Sequence, residues 1–290
     1  MKNFIKIFIL FVFTSASGMA VSQSNGKPQF SAPYGSNEQV GKYALVNGFK
    51  MYYEEYGKGE PMFLIHGNGS SIKDMGNQIE YFRKNYRVII ADSRGHGKSE
   101  LNTDSLTYVN MANDWSALAD YLKIDSLNII GWSDGGIIAL LIGINHPEKA
   151  KKIVAMGANM RPDSTAVYPY AVNFVIDARK KTDAKIKEKD TTEDWDLLKQ
   201  QLALLGDQPT ISKNDLAKIA APTLIIAGDK DIIREEHTVE LFQCIPHAQL
   251  CILPGQTHYI PERDPALFNS MVGKFIAEPF ARPDSDWTKK

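Results

Sequence analysis

The sequence predicts an α/β domain built on a mostly parallel, eight-stranded sheet with helices on both faces. Three observations carry this. Eight short apolar, β-rich runs are bounded by turn residues, helix-like segments alternate with the later runs, and one stretch of about 60 residues breaks the alternation with helical patterning alone. With 290 residues and 43% hydrophobic content, the chain is long enough for one large core carrying an insertion.

The strands are expected at Tyr43–Val46, Lys50–Tyr56, Met62–His66, Arg87–Asp92, Leu127–Trp132, Lys152–Met156, Thr223–Ala227 and Gln249–Leu253. The first two are joined by a short connection, which predicts an antiparallel start. The later ones need crossovers, which predicts parallel pairing. Helices are expected at Asn77–Lys84, Met111–Lys123, Gly135–Asn145, Glu235–Cys244 and Pro265–Ile276. The third is apolar nearly all round and should be buried against the sheet. The core is therefore assigned to 41–160 and 220–280. Residues 161–219, where Ala171–Lys181 and Asp194–Leu205 show apolar residues at helical spacing among dense charge, form a helical lid above the sheet's carboxyl edge.

At the amino end, Lys2 and Lys6 precede an apolar core from Ile7 to Phe13 and small residues up to Ala20, the pattern of a secretory signal peptide over 1–22. The apolar stretch is shorter than the roughly 20 residues a spanning anchor needs, so no stable membrane insertion is expected after cleavage, which could follow Ala20 or Ser22. Residues 23–40, rich in Gly, Pro, Ser and Asn, read as a flexible leader. The protein is expected in the periplasm or the medium.

A formal charge of −1 supplies no field for a phosphate backbone, so nucleic acid is not an expected partner. The two cysteines, Cys244 and Cys251, make no disulfide scaffold, and both a bridge and a pair of buried thiols are open. No metal-ligand spacing is present, and no metal or cofactor is expected.

The chemistry centres on Gly131-Trp132-Ser133-Asp134-Gly135, between a strand and a helix. A serine in that setting, with glycines two positions to either side, fits a nucleophile elbow, and the amino end of the following helix favours negative charge beside it. A nucleophilic serine needs a base, and the base needs an orienting acid. His258, of six histidines, is the one that follows a strand on the predicted catalytic edge; Asp229 and Asp231 follow the preceding strand, and Asp231 reaches further out, leaving Asp229 to tie down its own turn. The developing oxyanion needs backbone donors. The glycines of His66-Gly67-Asn68-Gly69 free the Asn68 N–H for this role, together with the Asp134 N–H, each such donor being worth roughly 3 kcal/mol. A phosphate cradle is excluded there because no Gly-Lys-Ser/Thr follows.

Taken together, the elbow, the Asp92-Ser93-Arg94-Gly95-His96-Gly97-Lys98-Ser99 run, the Gly228-Asp229-Lys230-Asp231 turn and the Gly255-Gln256-Thr257-His258 segment resemble the α/β-hydrolase superfamily. Within it, Gly-Trp-Ser-Asp-Gly-Gly is most similar to the valacyclovir-hydrolase (biphenyl-hydrolase-like) esterases. The resemblance implies Ser133 as nucleophile, Asp231 as acid, His258 as base and a small acyl compound as substrate. It also implies that Asp134 receives the ammonium of an aminoacyl ester. Such a partner would offset a repulsion between Asp134 and the oxyanion of about 3 kcal/mol at 6 Å and an effective dielectric of 20. The other reading of Asp134 is a local salt bridge with Arg94 or Arg161. Phe174, Trp195 and Leu198 are candidate pocket walls from the lid.

The expected reaction is hydrolysis of a small carboxylic ester through an acyl-enzyme. A lactonase or carbon–carbon bond hydrolase using the same triad, and a low-turnover small-molecule sensor, are the alternatives. The serine at 133 excludes the dehalogenases and epoxide hydrolases of this fold, which need an aspartate there.

Overall fold

In the computed structural model, which describes residues 30–286 and 288, eight strands form one sheet. They are β1 (Lys42–Val46), β2 (Phe49–Tyr56), β3 (Glu60–Ile65), β4 (Tyr86–Ala91), β5 (Leu127–Trp132), β6 (Ala150–Met156), β7 (Thr223–Lys230) and β8 (Ala248–Thr257). Their order is β1-β2-β4-β3-β5-β6-β7-β8. β2 pairs antiparallel with both β1 and β4, and every later pairing is parallel.

The helices are α1 (Gly76–Phe82), α2 (Tyr108–Tyr121), α3 (Asp134–Asn145), α4 (Pro169–Lys187), α5 (Trp195–Asp207), α6 (Lys213–Leu216), α7 (Glu235–Cys244), α8 (Ile260–Arg263) and α9 (Pro265–Ala277). Side chains that alternate along a strand serve opposite faces of the sheet. Phe63 and Ile65 of β3 and Ile129 of β5 pack with Trp115 and Leu118 of α2, Ile138 of α3 and Leu241 of α7. Met62, Leu64 and Ile130 pack on the other face with Ile79 and Phe82 of α1 and Phe268 and Val272 of α9. Both faces of the central strands are thus apolar, as a covered parallel sheet requires.

Helix starts follow local chemistry. Thr107 accepts from the Asn110 N–H ahead of α2, and Asp194 and Asp264 do the same for the Leu197 and Leu267 N–H groups of α5 and α9. Each such cap satisfies an amide that the helix itself leaves without a partner.

One expectation changes. Residues 30–40 are not a flexible leader, although 1–22 and 23–29 lie outside the described residues. Tyr34 is buried, and the fully buried Glu54 of β2 accepts from the Gly35 and Asn37 N–H groups at 2.9 and 3.1 Å. An internal carboxylate needs such donors, and the Gly- and Asn-containing turn supplies them. Of the two readings left open for Cys244 and Cys251, the structure has the thiols, both free and half-buried.

Residues 161–219 hold α4, α5 and α6. α5 is fastened to loops beyond the carboxyl ends of β4 and its neighbours by glutamine amides. Gln200 accepts from the Leu106 N–H at 3.0 Å, Gln201 donates to the Gly95 carbonyl at 3.0 Å, and Gln208 accepts from the Tyr108 N–H at 3.2 Å.

Candidate active site

Ser133 lies between β5 and α3 with φ 58° and ψ −119°, in a left-handed conformation that an L-residue adopts only under constraint. The constraint is visible at its flanking glycines. A Cβ on Gly131 would lie 2.0 Å from the Gly135 carbonyl oxygen, and one on Gly135 would lie 2.1 Å from the Ile65 carbonyl oxygen. Only glycine lets strand and helix approach this closely, and the turn lifts the serine side chain out of the sheet.

Three strand ends meet there. His258, just past β8, has its Nε2 2.9 Å from Ser133 Oγ and its Nδ1 2.6 Å from Asp231 Oδ1, just past β7. A carboxylate accepts, so Nδ1 carries the proton and Nε2 is the acceptor for the serine hydroxyl. The same Oδ1 accepts from the Ile233 N–H at 3.0 Å, which fixes the carboxylate. Asp231 and His258 are 2% and 5% exposed, so the pair works away from bulk water. Asp229 instead accepts from the Gly255 N–H at 2.8 Å and ties the two turns together.

The loop after β3 passes beside the serine: a Cβ on Gly67 would lie 3.1 Å from Ser133 Cβ. Among the described residues no acceptor is paired with the N–H of Asn68 or of Asp134. The latter is the first residue of α3, where helix geometry leaves the amide without a partner. Two donors next to a nucleophile on two elements make a cradle for an oxyanion.

Asp134 is 2% exposed and makes neither of the contacts considered for it. Arg94 is held by Asp114 through two 2.8 Å bonds, and Arg161 by Glu240 at 2.7 Å. The salt bridge is thus absent, because both guanidiniums have nearer carboxylates. Asp134 Oδ2 accepts from the Asn68 side-chain amide at 2.9 Å, and the Tyr108 hydroxyl also bonds the carboxylate. Burial pushes its acid up to about 6, against the pull of those two donors. The Asp134 carboxylate is thus enclosed by the side chains of Asn68 and Tyr108.

A family model described as the alpha/beta hydrolase fold matches residues 60–202, from β3 through the elbow into α5. The chain has the alpha/beta hydrolase fold and is similar to serine hydrolases that share it. It is 28% identical over 265 residues to the serine hydrolase BPHL of Mus musculus, covering 84% of this chain and 89% of that one. It is also 28% identical over 283 residues to the 2-hydroxymuconate semialdehyde hydrolase of Pseudomonas sp. strain CF600, covering 86% and 97%. Its fold is similar to the crystal structure of the enol-lactonase of Burkholderia xenovorans LB400, with a TM-score of 0.69, 22% identity and coverage of 82% and 100%.

Residues 161–219 reach the oxyanion loop through α5. A cavity of about 370 Å³ is lined by Gly69 of the oxyanion loop, by Asp194 ahead of α5 and by Leu197 and Gln201 of α5; Ser133, Asp231 and His258 are not among its lining residues. Those positions share one face of the helix at i, i+3 and i+7; Leu198, one residue on, is rotated off that face. Trp195, the first residue of α5, is buried with its indole donating to Asp190 at 3.1 Å. Phe174 is half-buried on α4 and is not among the cavity's lining residues.

The other histidines hold loops. His66 Nε2 accepts from the Ser93 N–H at 3.0 Å, so Nδ1 donates to the Gly67 carbonyl at 2.8 Å. His96 is bonded through Nδ1 to the Arg94 carbonyl, and burial holds its acid down near 4. Among the described residues no group of three or more His, Cys, Asp or Glu side chains is arranged to hold a metal ion. None of their helices is long and apolar enough to cross a membrane.

Three contributors escaped the sequence reading: the Asn68 side chain, Tyr108 and Gln201. The Asn68 amide that bonds Asp134 also donates to the Gln201 carbonyl of α5 at 3.1 Å. No spacing in a single sequence announces a bond across 133 residues.

Proposed function

We propose that this protein is an exported serine hydrolase that cleaves small carboxylic esters through an acyl-enzyme. The observation that carries the reading is the unbroken chain from Asp231 through His258 to Ser133, at 2.6 and 2.9 Å. His258 Nε2 takes the Ser133 proton as Oγ attacks the ester carbonyl, and the oxyanion is received by the Asn68 and Asp134 N–H groups. The same proton goes to the leaving alkoxide as the tetrahedral intermediate collapses. Water, deprotonated by His258, then attacks the acyl-serine, and His258 returns that proton to Ser133 Oγ as the acyl–oxygen bond breaks and the acid is released. Export rests on the Lys2–Ala20 pattern, and mature protein beginning at Val21 or Gln23 in the periplasm or medium would support it.

The enclosure of Asp134 weighs against aminoacyl esters as the preferred class. The Pseudomonas relative and the Burkholderia neighbour, by their names, keep lactones and carbon–carbon substrates as the second reading. The test compares kcat/KM on the p-nitrophenyl esters of valine and isovalerate, on a lactone and on a β-diketone, with Ser133→Ala as control. Faster, Ser133-dependent turnover of the isovalerate ester supports the proposal. Turnover confined to the lactone or the diketone contradicts it, as does ester cleavage that persists in Ser133→Ala.

A further inference from the structure

The loop that carries Asn68 has glycines on both sides and belongs to no helix or strand. Such a backbone has little of its own to hold it within the few tenths of an ångström that an oxyanion donor needs. The His66 ring and the Ser70 N–H bond the Gly67 carbonyl on one side of Asn68; what ties Asn68 itself down is its side chain. Its two amide hydrogens are spent on Asp134 Oδ2 at the start of α3 and on the Gln201 carbonyl of the lid helix α5. Asp134 is itself fixed: it is the residue next to the nucleophile, it is buried, and it is bonded by the Tyr108 hydroxyl at the start of α2.

We infer that the Asp134 carboxylate is a positioning group for the oxyanion loop: it grips the Asn68 side chain and, through it, the backbone that presents the Asn68 N–H beside Ser133. The inference rests on the serine-hydrolase reading above and assigns Asp134 a role other than contact with substrate. Gln201 extends the same clip to α5, so a lid helix displaced from the core releases one of the two bonds that hold the donor.

The test reads the rate at which a fluorophosphonate labels Ser133, because its phosphoryl oxygen occupies the oxyanion cradle whatever the natural substrate is. Wild type, Ser133→Ala, Asp134→Ala, Asp134→Asn, Asn68→Ala and the double variant Asp134→Ala/Asn68→Ala are compared, each with its thermal midpoint. All keep the two backbone N–H groups. Asp134→Ala and Asn68→Ala should each slow labelling by about 10- to 100-fold. The double variant should be no slower than the worse single one, since both remove the same clip. Asp134→Asn, whose carbonyl can still accept from Asn68, should recover most of the rate.

Labelling of Asp134→Ala at the wild-type rate, or losses that multiply in the double variant, would overturn the inference while leaving the hydrolase reading intact. A wild type that fails to label at Ser133 overturns that reading and the inference with it. A rate that falls only in step with the thermal midpoint, with no recovery in Asp134→Asn, reduces Asp134 to a structural residue and also overturns the inference.

Discussion

The indole Nε1 of Trp132 donates a 2.8 Å hydrogen bond to the backbone carbonyl of His258. The residue before the nucleophile thereby fixes the loop that carries the base, 126 positions later in the chain. Trp132→Phe keeps the packing against Tyr259 but leaves that buried carbonyl without its donor, at a cost of about 1–2 kcal/mol. Because the bond sets the place of His258 and touches no substrate, kcat should fall by roughly 10-fold while KM stays within about two-fold. A change confined to KM would remove Trp132 from this role.

Gly157, at the end of β6, backs the imidazole. A Cβ there would lie 2.7 Å from both Cε1 and Nδ1 of His258, and the residue has φ +59°. Gly157→Ala must therefore push the ring off Asp231 or off Ser133. Steady-state kinetics should show kcat reduced by about 100-fold or more, the scale set by an ångström of misplacement. Wild-type kcat in that variant would mean the ring has slack that the geometry denies.

Asp134 makes stability depend on pH with a definite sign. Its acid is raised from 3.8 to about 6, so the fold favours the protonated form. Its contribution to stability is fully present below about pH 4 and is lost as the pH rises through about 6; the full loss is about 3 kcal/mol at 1.36 kcal/mol per unit. Asp134→Asn cannot ionise and escapes it. The thermal midpoint of the variant relative to wild type should therefore climb by several degrees between pH 4 and pH 7.5. A difference that stays flat across that range would show that the carboxylate is not held in the way described.

Glu54 anchors the amino-terminal segment. It accepts from the hydroxyls of Tyr52 and Tyr56, both at 2.8 Å, and from the Gly35 and Asn37 N–H groups. Glu54→Ala strands four donors in the interior. The expected loss is about 3 kcal/mol or more, a fall in midpoint of at least about 5 °C. Amide exchange should accelerate first in residues 33–41, and uniform acceleration across the sheet would place the anchor elsewhere.

The strands and both helical layers were legible because burial imposes a period on the sequence, and β5 and α7 match the expected bounds residue for residue. The ends of β7 and β8 were not. Gly228, Asp229 and Lys230 and the Pro254–Thr257 stretch read as turns, yet Lys230 pairs with Thr257 across a register shift. That pairing is decided by the neighbouring strand rather than by local propensity. The leader misled for a related reason: its Gly, Pro, Ser and Asn content describes a chain with no partner, and Glu54 supplies the partner from β2. In the site, Ser133, Asp231 and His258 follow from strand order and turn chemistry. The grip of Asp134 on Asn68, and the bond from Asn68 to Gln201, depend on how loops and α5 dock, which no local pattern encodes.

In the proposed reaction the acyl group is carried by Ser133. Rapid acid quenching during turnover of p-nitrophenyl isovalerate, followed by peptide mass mapping, tests it most directly. The predicted result is an isovaleryl adduct on the peptide containing Ser133, formed with a burst of p-nitrophenol equal to the enzyme present and absent in Ser133→Ala. Turnover without any adduct at Ser133, or an adduct on another residue that survives Ser133→Ala, would contradict it.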